Sequence, residues 1–181
     1  MTTNSVAVFG SSQASSDSTH YRLAGDLGAV LARRGAEVRC GGYGGVMEAV
    51  AAGAKREGGQ VFGCTLKWFS ESRIPNRHLD QVHEAANLHT RIECLLRGVR
   101  GAVVLPGGVG TMNELFWVWT MLLLDREEGP QAIALLGEPW AELMSVLSRN
   151  FEFDGPIRSL VSLAATPEEA ADIVLGAGGA K

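Results

Sequence analysis

The sequence predicts an α/β protein with a mainly parallel sheet of about six or seven strands and helices on both faces. Three observations predict it. Apolar runs of strand length alternate with longer segments of helical spacing along the 181 residues. Three of the strand ends run directly into glycine-rich loops. No internal repeat, low-complexity stretch or linker interrupts the alternation, so one domain over residues 1–181 is expected. Alternation of this kind is the pattern of a parallel sheet buried on both faces.

The elements follow in order. Ser5–Phe9 is a first strand. Tyr21–Arg34 has helical spacing, with Leu23, Leu27, Val30 and Leu31 on one face. Glu37–Cys40 is a short strand, Val46–Arg56 an alanine-rich helix and Gln60–Thr65 a third strand. A polar loop, Trp68–Arg77, surrounds Pro75 and leads to a fourth strand at Gln81–Glu84. Leu88–Arg97 is helical, Ala102–Leu105 a buried strand and Thr111–Leu124 a strongly apolar helix. Ala132–Leu136 is a sixth strand, Trp140–Arg149 a helix, Leu160–Leu163 a last strand and Pro167–Leu175 a last helix. The small-residue tail Gly176–Lys181 is expected to fray.

Composition narrows the function classes. The chain is 46% hydrophobic and 20% charged, enough apolar material for a real core. Its net charge of −4 gives no basic footprint for nucleic acid. Met1-Thr2-Thr3-Asn4-Ser5 lacks the basic and apolar regions of a signal peptide. The longest apolar run, Leu115 to Leu124, is too short to span a bilayer. No membrane partner and a cytoplasmic location are therefore expected. Cys40, Cys64 and Cys94 are odd in number and lie in apolar surroundings, so they read as buried thiols. His20, His78, His83 and His89 make no ligand spacing, so neither a metal site nor a cofactor is expected.

Ligands of open parallel sheets bind beyond the carboxyl ends of the strands. Glycine stands at three of those ends: Phe9-Gly10-Ser11-Ser12, Cys40-Gly41-Gly42-Tyr43-Gly44-Gly45 and Leu105-Pro106-Gly107-Gly108-Val109-Gly110-Thr111. Glycine lets a ligand approach bare backbone, and a following helix points free N–H groups and partial positive charge at it. Such a site holds an anion without any lysine. One such loop reads as a tight turn; three at strand ends, two of them opening helices, favour phosphate. The G-x-x-x-x-G-K-[ST], complete G-x-G-x-x-G and G-x-S-x-G motifs are absent.

Two charged residues stand near these loops. Thr111-x-x-Glu114 has the form of a capping box, in which Glu114 is structural. A carboxylate beside a phosphate loop also lies about where a ribose would sit, where it activates water or stabilises positive charge. The residues leave both readings of Glu114 open. Arg91, taken alone, reads as a solvated helical arginine.

The stretch Pro106-Gly107-Gly108-Val109-Gly110-Thr111-Met112-Asn113-Glu114 resembles the P-G-G-x-G-T-x-x-E motif of the LONELY GUY (LOG) family, often mislabelled lysine decarboxylase. Phe9-Gly10-Ser11-Ser12, with Tyr21 in the next helix, is similar to that family's first loop. Gly41-Gly42-Tyr43-Gly44-Gly45-Val46-Met47 is similar to its second, and Arg91 matches its catalytic arginine. The resemblance implies a Rossmann-like homodimer, or a higher even oligomer, that hydrolyses the N-glycosidic bond of a nucleoside 5′-monophosphate. The products are a free base and ribose 5-phosphate, and the substrates are AMP or cytokinin riboside monophosphates. It implies Gly107, Gly108, Val109, Gly110 and Thr111 at the phosphate, and Glu114 and Arg91 at the ribose. Gly10, Ser11, Ser12, Gly42, Gly44, Gly45 and Met47 are implied as further substrate contacts.

The chain departs from the family pattern at three places. Arg91-Ile92 replaces Arg-Lys, Met47-Glu48 replaces Met-Gly, and Thr120-Met121-Leu122-Leu123 keeps only the threonine of Thr-Trp-Ala-Gln. Ile92 and Glu48 favour the alternative of a protein that binds a nucleotide or phosphorylated cofactor without cleaving it. Lysine decarboxylation is rejected: a pyridoxal Schiff base needs a lysine, and Lys55, Lys67 and Lys181 lack a convincing partner set. Finally, the helix from Leu115 to Leu124 is apolar almost all round. A sheet covers only one side of it, so a dimer that buries the other side is expected.

Overall fold

A computed structural model describes residues 4–124, 129–153 and 155–176. Seven parallel strands form one sheet in the order β4-β3-β2-β1-β5-β6-β7. In chain order they are β1 (Ser5–Phe9), β2 (Glu37–Cys40), β3 (Val61–Leu66), β4 (Gln81–Ala85), β5 (Gly101–Val104), β6 (Ile133–Leu136) and β7 (Val161–Ala164). Every neighbouring pair is parallel, with registers such as Ala7 opposite Ala102 and Val103 opposite Ala134. This is a Rossmann-like architecture, as the alternation of elements predicts.

The helices are α1 (Thr19–Arg33), α2 (Val46–Arg56), α3 (Leu88–Leu96), α4 (Val109–Leu123), α5 (Pro139–Asn150), α6 (Gly155–Ser159) and α7 (Pro167–Leu175). The period-two alternation of strand side chains divides the core. Val6 and Val8 of β1 join Val103 and Leu105 under α1, α2 and α7. Ala7 and Phe9 join Ala102 and Val104 under α3, α4 and α5. The interior strands β1, β5 and β6 are buried along their whole length, which is why they read as unbroken apolar runs. Edge strand β4 is exposed except at Ala85.

The sheet order reverses direction between β1 and β5, so a crevice opens beyond the carboxyl ends of these two strands. All three glycine loops meet there. Ser11 N donates to Pro106 O at 3.2 Å, and Val46 N donates to Ser11 O at 2.9 Å, so the first loop is tied to both of the others.

Two features differ from the sequence expectation. The apolar helix begins at Val109, two residues before Thr111, and α6 is a short helix where the sequence predicts no element. Of the tail 176–181, only Gly176 falls within the described residues. Cys40 and Cys64 are buried free thiols, whereas Cys94 is only half-buried. No described helix is long and apolar enough to cross a membrane.

Candidate active site

Gly108 is the N-cap of α4, and no side chain caps the helix. Thr111 is therefore the third residue inside the helix rather than its cap, and Glu114 lies deeper, in the second turn. The expected Thr111–Glu114 capping box is not formed. Gly108 takes the ordinary extended conformation of an N-cap, φ −88° and ψ −161°, so the threonine lies past the capping position. The opening N–H groups of α4 have no intrahelical acceptors, and Glu114 is released from any capping duty.

Glycine is required where the loops come closest. Gly45 has φ +67°, and a Cβ there would run into Ser11 O. A Cβ on Gly107 would strike Thr111 Oγ1 and come within 2.8 Å of Ser11 N. At Gly108 and Gly110 a Cβ would meet nothing within 4 Å, because these residues face open space.

That space is a cavity of about 570 Å³, the size of a small-molecule site. Gly10, Ser11, Ser12 and Met47 line it from the first two loops, and Gly108, Val109, Gly110, Thr111 and Glu114 line it from α4. Arg91 reaches it from α3. Gly44 lines a smaller adjoining recess with Ser12 and Gln13. Gly42, Gly45 and Gly107 lie behind the lining, where Gly42 and Gly45 turn the chain at positive φ.

Arg91 is buried, in contrast to the solvated arginine that its helix pattern suggests. Its Nε donates to Cys64 O at 2.8 Å and its Nη2 to Gly41 O at 3.2 Å, so it spans the ends of β3 and β2. Its Nη1 lies 3.6 Å from Glu114 Oε1, an ion pair slightly longer than a hydrogen bond. An Asn87–Thr90 capping box fixes the start of α3, and its Thr90 immediately precedes Arg91. Burial pushes the Glu114 carboxyl up to about 7, against the opposing pull of the Arg91 guanidinium. A carboxyl poised near neutrality is suited to proton transfer.

The three departures from the family pattern have definite places. Ile92 is fully buried in the core and supplies no charge to the cavity. Glu48 does not line the cavity. It faces Tyr21, whose hydroxyl is raised first by burial and then by this carboxylate. Thr120 and Met121 line a separate groove between α3 and α4.

The sequence reading missed one whole wall of the cavity. Tyr43, Leu66, Trp68, Phe69, Arg73 and Leu88 form it, three of them from the segment read as a polar loop. The run Trp68-Phe69 was the available signal, since two adjacent aromatic residues are out of place in a solvated turn. Among the described residues, no cluster of three His, Cys, Asp or Glu side chains gathers that could hold a metal ion. Lys55 pairs with Asp80 at 2.6 Å, and neither it nor Lys67 lines the cavity.

Known proteins resemble this chain in sequence and in fold. It is 32% identical over 119 residues to a cytokinin riboside 5′-monophosphate phosphoribohydrolase of Mycobacterium marinum, a match over 65% of this chain and 62% of that protein. A probable enzyme of the same name from Oryza sativa subsp. japonica is 27% identical over 168 residues, 91% of this chain and 67% of its own length. Among solved structures, a molybdenum cofactor binding protein from Rippkaea orientalis superposes with a TM-score of 0.70, at 24% identity and over 93% of both chains. The molybdenum cofactor carrier protein of Chlamydomonas reinhardtii does so at 0.64, with 22% identity and 92% of both chains. At those identities the structures speak to the fold. A family model described as possible lysine decarboxylase matches residues 47–174, and the chain belongs to that family, the LONELY GUY (LOG) family.

Proposed function

We propose that this protein hydrolyses the N-glycosidic bond of a nucleoside 5′-monophosphate, AMP or a cytokinin riboside monophosphate, to free base and ribose 5-phosphate. The observation that carries the reading is Glu114. It is a largely buried carboxyl, 13% exposed, with no capping role, paired with Arg91 and facing a cavity that opens on the uncapped start of α4. The names of the sequence relatives support it.

The first turn of α4, Gly108 to Thr111, receives the 5′-phosphate on its free N–H groups and its partial positive charge. The ribose then lies over Glu114. Cleavage of the C1′–N bond builds positive charge at the sugar, which the ionised carboxylate stabilises. The same carboxylate takes a proton from the water that attacks C1′; the departing base takes up a proton from solvent, and Glu114 returns its own to solvent, so the carboxylate is regenerated. Arg91 holds Glu114 in place and draws its titration down toward neutrality. The experiment is direct: incubate the protein with AMP and assay free adenine and ribose 5-phosphate. Neither product appearing, while AMP still protects against thermal unfolding, would overturn hydrolysis of AMP.

The second reading is binding without turnover, of a nucleotide or a phosphorylated cofactor. Ile92 favours it, because this buried apolar side chain supplies no cation next to Arg91. The molybdenum cofactor carriers provide a fold-level analogy for it. Lysine decarboxylation has no support, since neither described lysine faces the cavity.

A further inference from the structure

We propose that Trp68 is the stacking platform for the heteroaromatic base of the ligand, an inference that rests on the nucleotide reading of the cavity. Trp68 is 71% exposed and lines the same cavity as Glu114 and the start of α4. Among the described residues it makes no ring contact with another aromatic side chain. Leaving an indole in water forgoes the gain of its burial, and a ligand ring laid on its face recovers that gain.

The surroundings fix the backbone that carries this ring. Trp68 is the middle residue of the 3-10 turn Lys67–Phe69. Leu66, just before the turn, donates its N–H to Tyr43 Oη at 2.9 Å, and the Tyr43 hydroxyl reaches back to Leu66 O at 3.3 Å. Phe69, at the end of the turn, packs edge-on against Tyr43 with centroids 5.9 Å apart. Arg73 covers the other side of this pair, 4.2 Å from the Phe69 centroid and 5.8 Å from that of Tyr43. Farther along, Asn76 N donates to Gly42 O and Asn76 Nδ2 to Tyr43 O, so the loop is laced to the second glycine loop.

Phe69 and Arg73 are thus engaged with Tyr43, while the neighbouring indole is left open to the cavity. A planar π-face takes a planar ring, and base-on-aromatic stacking is tolerant of base identity. The platform therefore selects for a ligand with an aromatic heterocycle rather than a bare sugar phosphate. It tolerates differences at the base edge, because stacking reads the π-face.

Fluorescence titration tests this with two probes, ribose 5-phosphate and the carbocyclic analogue of AMP, whose C–N bond resists hydrolysis. The analogue is expected to quench tryptophan emission, and ribose 5-phosphate to bind without that quench. Trp68→Ala should remove the quench and weaken the analogue about tenfold or more, with ribose 5-phosphate affinity, measured calorimetrically, unchanged. Trp68→Phe, which keeps a ring, should restore most of the affinity. In the steady state with AMP, Trp68→Ala should raise KM far more than it lowers kcat. Unchanged affinity of Trp68→Ala for the analogue would overturn the platform while leaving the nucleotide site standing. Failure of the wild-type protein to bind either probe would overturn the nucleotide reading and the platform with it.

Discussion

Arg91 and Glu114 come from different helices, α3 and α4, yet their charged groups lie 3.6 Å apart at the floor of one cavity. The arginine is held by two carbonyls at the ends of β2 and β3, so its position is set by the sheet and not by the pair. Glu114 has no comparable anchor, and its carboxyl remains available to a ligand. A first prediction follows. Glu114→Gln should lower AMP turnover by a factor of about 100 or more, with binding of the carbocyclic AMP analogue largely kept, because shape survives and charge is lost. Arg91→Ala should lower turnover as well. It should also destabilise the fold by roughly 1–3 kcal/mol, since two buried carbonyls lose their donor. Normal adenine release from the Gln variant would return Glu114 to a structural role.

The Glu114 carboxyl titrates near 7 in the folded chain against an ordinary value of 4.5, so the folded state holds a proton that the unfolded state has released. Its contribution to stability is fully present below about pH 4.5 and is lost as pH rises through about 7. At one proton and 1.36 kcal/mol per unit, ionising this group costs about 3 kcal/mol by pH 8. Chemical denaturation at pH 5 and pH 8 should show that slope in the wild-type protein and a flatter one in Glu114→Gln. Turnover should run the other way, rising as pH passes through 7, because the ionised form acts on the sugar. An equal slope in both proteins would remove Glu114 as its source.

The glycines of the third loop should separate into two classes. Gly107→Ala forces a Cβ into Thr111 Oγ1 and against Ser11 N, so it should destabilise the chain and abolish anion binding together. Gly110 is helical and has open space around its would-be Cβ. Gly110→Ala should therefore stabilise the unliganded protein by up to about 1 kcal/mol, the difference in helix propensity. The new methyl projects into open space beside the phosphate site, so thermal protection by AMP or inorganic phosphate should fall. Full ligand protection in a stabilised Gly110→Ala variant would place the phosphate elsewhere.

The sheet was legible in the sequence because buried parallel strands are short, apolar and separated by helices. The boundaries of β1, β2, α2 and α7 read from the residues match the structure. The start of α4 was misread because Thr111-x-x-Glu114 imitates a cap, while a glycine N-cap leaves no side-chain signature. The depth of Arg91 was not legible either. Its burial depends on carbonyls of Gly41 and Cys64, 50 and 27 residues away, and no local pattern carries that information. The wall from Leu66 to Arg73 escaped for a related reason. Its order comes from rings and a guanidinium packed on Tyr43 of another loop, so the segment has no period of its own.

The last prediction concerns assembly. The two tryptophans of α4 differ in exposure. In the structure Trp119 is buried: its ring packs on Phe116 and Phe153, and its indole N–H donates to Ile157 O at 3.0 Å. Trp117 stays 36% exposed, and Leu123 and Leu124 are 52% and 62% exposed. Between α3 and α4 runs a groove of about 630 Å³ floored by Leu96, Phe116, Trp117 and Met121, with the Glu93–Arg97 ion pair at its edge. An apolar strip with a charged rim is the anatomy of a protein interface. A second copy of the chain is its simplest occupant, because a two-fold axis sets the same strip against itself and exchanges the rim charges. Light scattering should therefore give twice the 19.2 kDa chain mass at micromolar concentration. Trp117→Glu should reduce it to the single-chain mass, because a dimer would bury the carboxylate against its own copy. Phe151→Ser removes a more exposed ring, 62% against 36%, outside the groove and should leave the dimer intact. A wild-type protein that scatters as a single chain, or a Trp117→Glu variant that still pairs, would mean that this strip is not where two copies meet.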